Sequence, residues 1–327
     1  MELGLELSDC AELVRITRNG MVESRHLGVA VVLDPSGQAV AELGNPQARI
    51  FPRSALKPFQ AIGSLRAGAK LSPQGTALAC ASHLGTFRHQ RIAGETLETA
   101  GLDAADLQCP SAWPGDGATR TSMILNRQHA NRLAFNCSGK HAAFLNAAVL
   151  AGAPKSSYLA PEHPVQRAAL AAMEEFCGPI SFVGVDGCGA PAPQMSLLSL
   201  ARGFRQLVLS RDVHAQQVVH SIRENPWAIR GEGSANTLVV ERTGIIAKLG
   251  AEGVLAMGTP AGYSVALKML DGSPRGTDLL ALDLLASVGA LGELDHRWLR
   301  QALTPEPPTP GARAAGLELA GRDFPGC

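Results

Sequence analysis

NCSGKHAAFLNAAVLAG, residues 136–152, puts a cysteine, a serine, a lysine and a histidine within positions 137–141 and then runs into small apolar side chains. Ala142, Ala143, Ala147, Ala148 and Ala151 leave room for neighbouring backbones to come close, so 139–151 reads as a helix buried on most sides. Such a helix needs other helices round it, and the flanking chain supplies them. Helical patterns occur from Ser54 to Gly68 and at about 88–100, 162–176, 196–207 and 212–224.

Outside this block the pattern changes. LGVAVVLDPSGQAVAELG (27–44) reads as two strands joined at Asp34-Pro35-Ser36-Gly37, and 237–270 as several strands with glycine-containing turns. A last helix is expected over 277–289, and the Pro- and Gly-rich tail from Thr304 is expected to be irregular. Strands, then helices, then strands define an α+β chain. One antiparallel sheet forms from N- and C-terminal strands, with an inserted helical subdomain. The sheet layer covers about 1–50 and 180–300 and the helical subdomain about 51–179, within a single unit of 1–327.

The composition, 46% hydrophobic and 18% charged, is that of a globular protein. Lys+Arg and Asp+Glu are both 29, so no net field draws nucleic acid or an acidic membrane surface. The N-terminus lacks a basic flank followed by an apolar run, and no stretch of about 18 apolar residues occurs. A cytoplasmic protein with no membrane partner is expected. Seven scattered cysteines are small buried hydrophobes or, for some of them, a metal pair. Only six lysines occur, arginine supplying the remaining positive charge. A retained lysine points to a task arginine cannot perform, such as giving up its proton to act as a base.

Ser54-Ala55-Leu56-Lys57 is the only Ser-x-x-Lys in the chain. On a helix that spacing places both side chains on one face, and Pro58 fits best in a first helical turn. A helix start favours a serine alkoxide, and a desolvated lysine beside it could take the hydroxyl proton. The motif occurs in serine β-lactamases and penicillin-binding proteins, together with two later partners. Lys248-Leu249-Gly250, after a strand, stands where the Lys-Thr-Gly partner would be, its glycine allowing a close approach. No Ser-Asp-Asn occurs; CASHLGTFRHQ (80–90) offers Ser82 instead, which is equally a helix N-cap. His83 and His89 read as satisfied polar residues. Cys137 and Cys188, the latter in GVDGCGAPAPQM, resemble part of a zinc site, with His141 the nitrogen that ordinary ligand preference selects. A lysine must first shed a proton whose ordinary pKa is about 10.4.

RSALKPFQA, CASHLG, NCSGKHAAFL, GVDGCGAP and KLGAEGV occur in this order over roughly residues 50–257, and together resemble the Rhizobium-type (class 3, thermolabile) L-asparaginases. The resemblance implies a serine β-lactamase/glutaminase-like fold, a homodimer, and hydrolysis of L-asparagine to L-aspartate and ammonia. It also implies two Ser–Lys pairs, Ser54 with Lys57 and Ser82 with Lys248, with Lys268 as the competing placement. Zinc, structural or substrate-positioning, falls on Cys137, Lys140 and Cys188, displacing His141 from that role. Arg53, His141 and Asp186 become the expected substrate contacts. Either serine could attack; the helix start favours Ser54. The family pattern leads one to expect an acidic residue where this chain has Thr86. Two rival readings stand beside this one: a glutaminase or other serine acyl hydrolase of the same fold, and a non-catalytic zinc-stabilised binding protein.

Overall fold

The computed structural model describes residues 4–304 and 315–319. In chain order the strands are β1 (Ala11–Arg18), β2 (Met21–Leu33), β3 (Ala39–Leu43), β4 (Arg49–Ile50), β5 (Phe182–Val185), β6 (Pro191–Ser196), β7 (Ile246–Leu249), β8 (Val254–Gly258), β9 (Ser264–Met269) and β10 (Ala315–Leu319). The first six helices are α1 (Lys57–Arg66), α2 (Pro73–Ala79), α3 (Phe87–Glu98), α4 (Gly117–Leu125), α5 (Ser138–Leu150) and α6 (Pro164–Cys177). They are followed by α7 (Leu197–Leu209), α8 (Val213–Glu224), α9 (Pro226–Ile229), α10 (Ala235–Thr243), α11 (Thr277–Ser287) and α12 (Glu293–Leu303).

The chain forms two compact units. Among the described residues, one comprises 4–55, 194–209, 242–304 and 315–319; the other comprises 56–193 and 210–241. The helical unit therefore takes in 210–241, a stretch the sequence had placed in the sheet layer.

The first unit is built on an antiparallel sheet in the order β10-β1-β2-β9-β8-β7, with β3 also pairing β2. Strands from both ends of the chain meet in it, as expected of an α+β protein. The long β2 pairs β1 through Met21–Gly28 and β3 through Ala30–Leu33, while β9 lies along its other edge. Helices α7 and α11 both pack on β8 and β9. The sequence left β1 unassigned because register shifts between Glu12 and Val14 and between Ile16 and Thr17 break its period-two alternation. The tail was expected to be irregular, yet 315–319 form β10, registered against β1 from Val14↔Leu319 to Arg18↔Ala315. The remainder of that tail lies outside the described residues. Residues 237–243, read as strand, belong to α10. Its buried Asn236, Thr237, Val239 and Val240 follow helical spacing, which overrides the β-branched composition.

The second unit is helical, and α5 is its axis, packing against α1, α2, α3 and α6. Every residue of α5 from Ser138 to Ala148 is buried. This is possible because α2 crosses almost in backbone contact: a Cβ at Gly139 would lie 2.5 Å from the Leu78 carbonyl oxygen. Beside that crossing Ala77, Leu78, Ala81, Ile92, Ala93, Trp227 and Ala228 form a hydrophobic cluster. Helix α3 starts at Thr86, whose Oγ1 accepts from the His89 N–H while its own N–H donates to His89 Nδ1. The N-cap is thus Thr86 rather than Ser82, and the residue standing where an acidic one was expected serves as a helix cap. His89 Nε2–H donates to the Trp227 carbonyl at 3.3 Å.

Two tests follow from these contacts. Gly139→Ala should lower the unfolding free energy by about 1–3 kcal/mol in urea titrations, although helix propensity alone favours alanine by about 1 kcal/mol. An unchanged or raised stability would show that α2 can move away. Burial pushes His89 down to about 4 from its ordinary 6.5, so it is neutral in the fold and takes up a proton on unfolding between these values. Its contribution is full above pH 6.5 and is lost as the pH falls towards 4. His89→Gln should therefore show a shallower loss of stability over that window than the parent, and identical slopes would refute the assignment.

Candidate active site

Within the helical unit, Lys57 is completely buried at the first position of α1, with Pro58 in the first helical turn, as its missing N–H requires. Its Nζ lies 3.1 Å from Ser82 Oγ, 2.5 Å from the Ala81 carbonyl oxygen and 3.5 Å from that of Asn136. The sequence had joined Lys57 to Ser54 and Ser82 to Lys248; the contact between Lys57 and Ser82 was not among those pairings. Burial is the largest influence on this amine and holds its pKa below the ordinary lysine value.

Carbonyl oxygens only accept hydrogen bonds. The two carbonyls therefore take N–H groups of the amine, whose nitrogen also lies within hydrogen-bond reach of the serine hydroxyl. An amine so placed can, once deprotonated, accept a hydroxyl proton.

At the head of α5, Cys137, Lys140 and Cys188 come together. Lys140 Nζ lies 3.1 Å from Cys188 Sγ, and the two thiols are hydrogen-bonded to each other. All three are buried. The hydrogen bond from Cys188 draws the Cys137 thiol well below its usual range, with Lys57 and Lys140 adding to the effect, while Cys188 is pushed up. Burial works against the Lys140 ammonium, but the two sulfurs outweigh it and raise its pKa. Two sulfurs and an amine in mutual reach fit a three-ligand zinc site with one open position. Among the described residues no three His, Cys, Asp or Glu side chains could hold a metal ion together; the group at this position is two cysteines and a lysine.

Cys188 reaches this position on the turn after β5, where Asp186 N–H donates to the Ala190 carbonyl and Gly189 N–H donates to that of Asp186. Asp186 exerts an electrostatic pull on Lys140 and accepts from the Gly187 N–H at 2.7 Å. Cys80, Cys109 and Cys177 are ordinary buried thiols; Cys80 donates to the Thr76 carbonyl, and burial pushes Cys109 up to about 12.

His141 has a different part from the metal ligand that simple preference suggested. Gln108 N–H donates to the Tyr158 hydroxyl oxygen at 3.0 Å, and Tyr158 O–H lies 2.7 Å from His141 Nδ1. A Tyr158 proton directed at Nδ1 would leave the ring's own proton on Nε2. That N–H is fully buried and finds no acceptor among the described residues. Tyr158 carried no signal that the sequence reading used, because it approaches from 17 residues away through an irregular segment.

In the sheet unit, Arg53 adopts φ +52°, a left-handed conformation uncommon for a side-chain-bearing residue, immediately before Ser54. Gly250 makes room for this turn: a Cβ there would lie 2.5 Å from the Pro52 carbonyl oxygen. The close approach sets the Lys248 strand beside the Pro52-Arg53-Ser54 backbone. Lys248 is buried and donates to the Leu249 carbonyl at 2.7 Å. Lys268 bonds the carbonyls of Glu252 and Met269.

No helix among the described residues is long and apolar enough to cross a membrane. A comparison with curated proteins found no match. Solved structures that match include Mglu in its glutamate form, 14% identical with a TM-score of 0.47, over 84% of this chain and 61% of that one. A β-lactamase from Mycobacterium bovis is 13% identical with a TM-score of 0.43, over 81% and 95%. EstCE1, a hydrolase with promiscuous acyltransferase activity, is 12% identical with a TM-score of 0.38, over 83% and 92%. The chain spans about three fifths of the length of the Mglu structure. At such identities and scores these likenesses carry no argument. The match to the L-asparaginase II family model does, because it runs over residues 14–311. The chain belongs to the L-asparaginase II family of amidohydrolases.

Proposed function

We propose that the protein hydrolyses L-asparagine to L-aspartate and ammonia, on a serine β-lactamase/glutaminase-like fold and as a Rhizobium-type member of its family. The observation that carries this reading is the buried Lys57 amine, held by two carbonyl acceptors with Ser82 Oγ 3.1 Å from its nitrogen. A purely structural lysine gains nothing from such a position, and a binding protein has no need of it.

In the proposed reaction Ser82 Oγ attacks the side-chain amide carbon as its proton passes to Lys57 Nζ. The carbon–nitrogen bond then breaks, and ammonia leaves with that proton. Water adds to the acyl carbon, giving a proton to Lys57, which returns it to Ser82 as aspartate departs. The Lys57 contact moves the nucleophile to Ser82 from Ser54, which the helix-start argument had favoured. His141 Nε2–H offers a hydrogen bond to a substrate oxygen, and Asp186 offers a carboxylate to its ammonium group. Cys137, Lys140 and Cys188 would hold zinc, which when bound supplies a fixed positive pole that orients substrate. Arg53 stays assigned to a substrate carboxylate, and Ser54 and Lys248 keep the catalytic roles that the family resemblance implies. Homodimer assembly and a cytoplasmic setting complete the proposal.

Ammonia release, measured with asparagine and with glutamine, tests it. Ser82→Ala and Lys57→Met should each lower kcat on asparagine by about 10²–10⁴-fold. Undiminished turnover by Ser82→Ala would return the nucleophile's role to Ser54, and ammonia from glutamine alone would change the substrate. Elemental analysis should find about one zinc per chain, absent from Cys188→Ala. Wild-type protein prepared with zinc in the medium yet free of it would remove the metal from the account.

A further inference from the structure

His83 follows Ser82 directly, and neither the reaction above nor the sequence motifs give it a task. Its ring is 2% exposed and makes a hydrogen bond at each nitrogen. Nδ1 accepts from the Gly85 N–H at 3.1 Å, so the ring proton resides on Nε2. Nε2 lies 3.0 Å from Ser138 Oγ, and Ser138 Oγ–H donates onward to the Leu133 carbonyl at 2.8 Å. The main chain of the same residue supplies a third tie: His83 N–H donates to the Asn136 carbonyl, the oxygen that Lys57 Nζ also approaches. One face of the ring is stacked on His89, with centroids 4.9 Å apart and planes at 15°.

On its other flank the loop is fixed by main-chain bonds. Ser82 N–H donates to the Ile229 carbonyl and Leu84 N–H to that of Arg230. The Arg230 guanidinium donates to the Ser82 carbonyl at 2.8 Å. Ser82 is therefore strung between two supports, and His83 is the side chain reaching from it to the head of α5.

We propose that His83 is a positioning residue: bridging from the Ser82–Gly85 loop to Ser138, it sets the Ser82 hydroxyl against Lys57 and ties that pair to the helix start bearing Cys137 and Lys140. The inference rests on the proposed function, since it concerns the placement of that nucleophile. A flat, rigid imidazole with an acceptor at one end and a donor at the other meets both partners without rotational freedom. Displacements of about 1 Å at a reacting atom can cost about 10²-fold in rate, so the bridge acts on turnover more than on substrate binding.

Two amide replacements separate the two ends of the ring. His83→Gln carries an N–H donor out to about the Nε2 position and can keep the bond to Ser138. His83→Asn keeps only an acceptor for the Gly85 N–H. The expected result is that His83→Gln retains most of the wild-type kcat, while His83→Asn and Ser138→Ala each lose about 10–100-fold with KM little changed. Unfolding midpoints and zinc content measured on each variant should stay near those of the wild type.

A second readout needs no amide substrate: the rate at which a fluorophosphonate labels Ser82, followed by peptide mass spectrometry, should fall in the same order. Full activity in His83→Asn would overturn the proposal. So would equal losses in all three variants accompanied by lower midpoints or missing zinc, which would make the role structural. A wild type that neither releases ammonia from asparagine or glutamine nor labels at Ser82 would remove the proposed function and this inference together. An active wild type with insensitive variants would remove the inference alone.

Discussion

An amine enclosed by protein on every side is the constraint round which the helical unit is organised. A lysine ammonium without a counter-charge costs several kcal/mol to bury, and the neutral form is acceptable only if both N–H groups and the lone pair find partners. Lys57 has within reach the carbonyls of Ala81 and Asn136, the hydroxyl of Ser82 and the Cys137 sulfur. These groups come from the loop after α2 and from the approach to α5, so both segments must leave helical geometry for their carbonyls to be free. Helix α2 ends at Ala79 and α5 begins only at Ser138. The short, interrupted helices of this unit are thus a requirement of its interior, because a longer α2 would bring the Ala81 carbonyl into its own hydrogen-bond ladder.

The head of α5 extends the same electrostatics with the opposite outcome. Lys140 is as deeply buried as Lys57, but it faces two sulfurs, one of them drawn towards thiolate. Burial therefore wins at Lys57 and charge pairing wins at Lys140. Cys137 feels both amines. Gly139, pressed against the Leu78 carbonyl, fixes where this helix start lies relative to α2 and hence to the loop carrying Ser82. The crowding of reactive groups in residues 136–141 follows from this: a helix start with no side chain at its crossing point is where backbone and functional groups can be brought closest.

Much of this was legible in the chain. The alanine run of α5, the Pro58 that starts α1 and the turn at residues 34–37 each carry a local rule, and the structure follows it. Thr86 is a cap whose partner, His89, stands three residues later, so its role was also readable in principle. What the sequence could not give was the pairing of functional groups. Three-residue spacing joined Ser54 with Lys57; Ser54 stands in a 3-10 turn, Arg53–Leu56, that runs directly into α1. Arg53 bends that turn with a positive φ which no local composition announces. Ser82 meets Lys57 across 25 residues, Ser138 meets His83 across 55, and Lys140 meets Cys188 across 48. Such contacts are decided by how helices cross, and single-chain periodicity does not encode the crossing.

Lysine scarcity was the most general clue, and the structure gives its physical basis. Lys57, Lys140 and Lys248 are all buried, whereas no arginine among the described residues is. Surface ion pairs go mainly to arginine, as in Arg66 with Glu175 and Asp212, and Arg18 with Glu23. A guanidinium cannot shed its proton at any accessible pH, and it needs acceptors for five N–H groups. At position 57 it would find two carbonyls, a hydroxyl and a sulfur, leaving several donors unanswered. Lysine's compact amine can meet that pocket as a neutral group, and at position 140 it can face sulfur as a cation or, with its proton displaced, as a ligand. The division of labour between the two basic residues therefore separates surface from interior, and the interior share falls on groups whose protonation state can change.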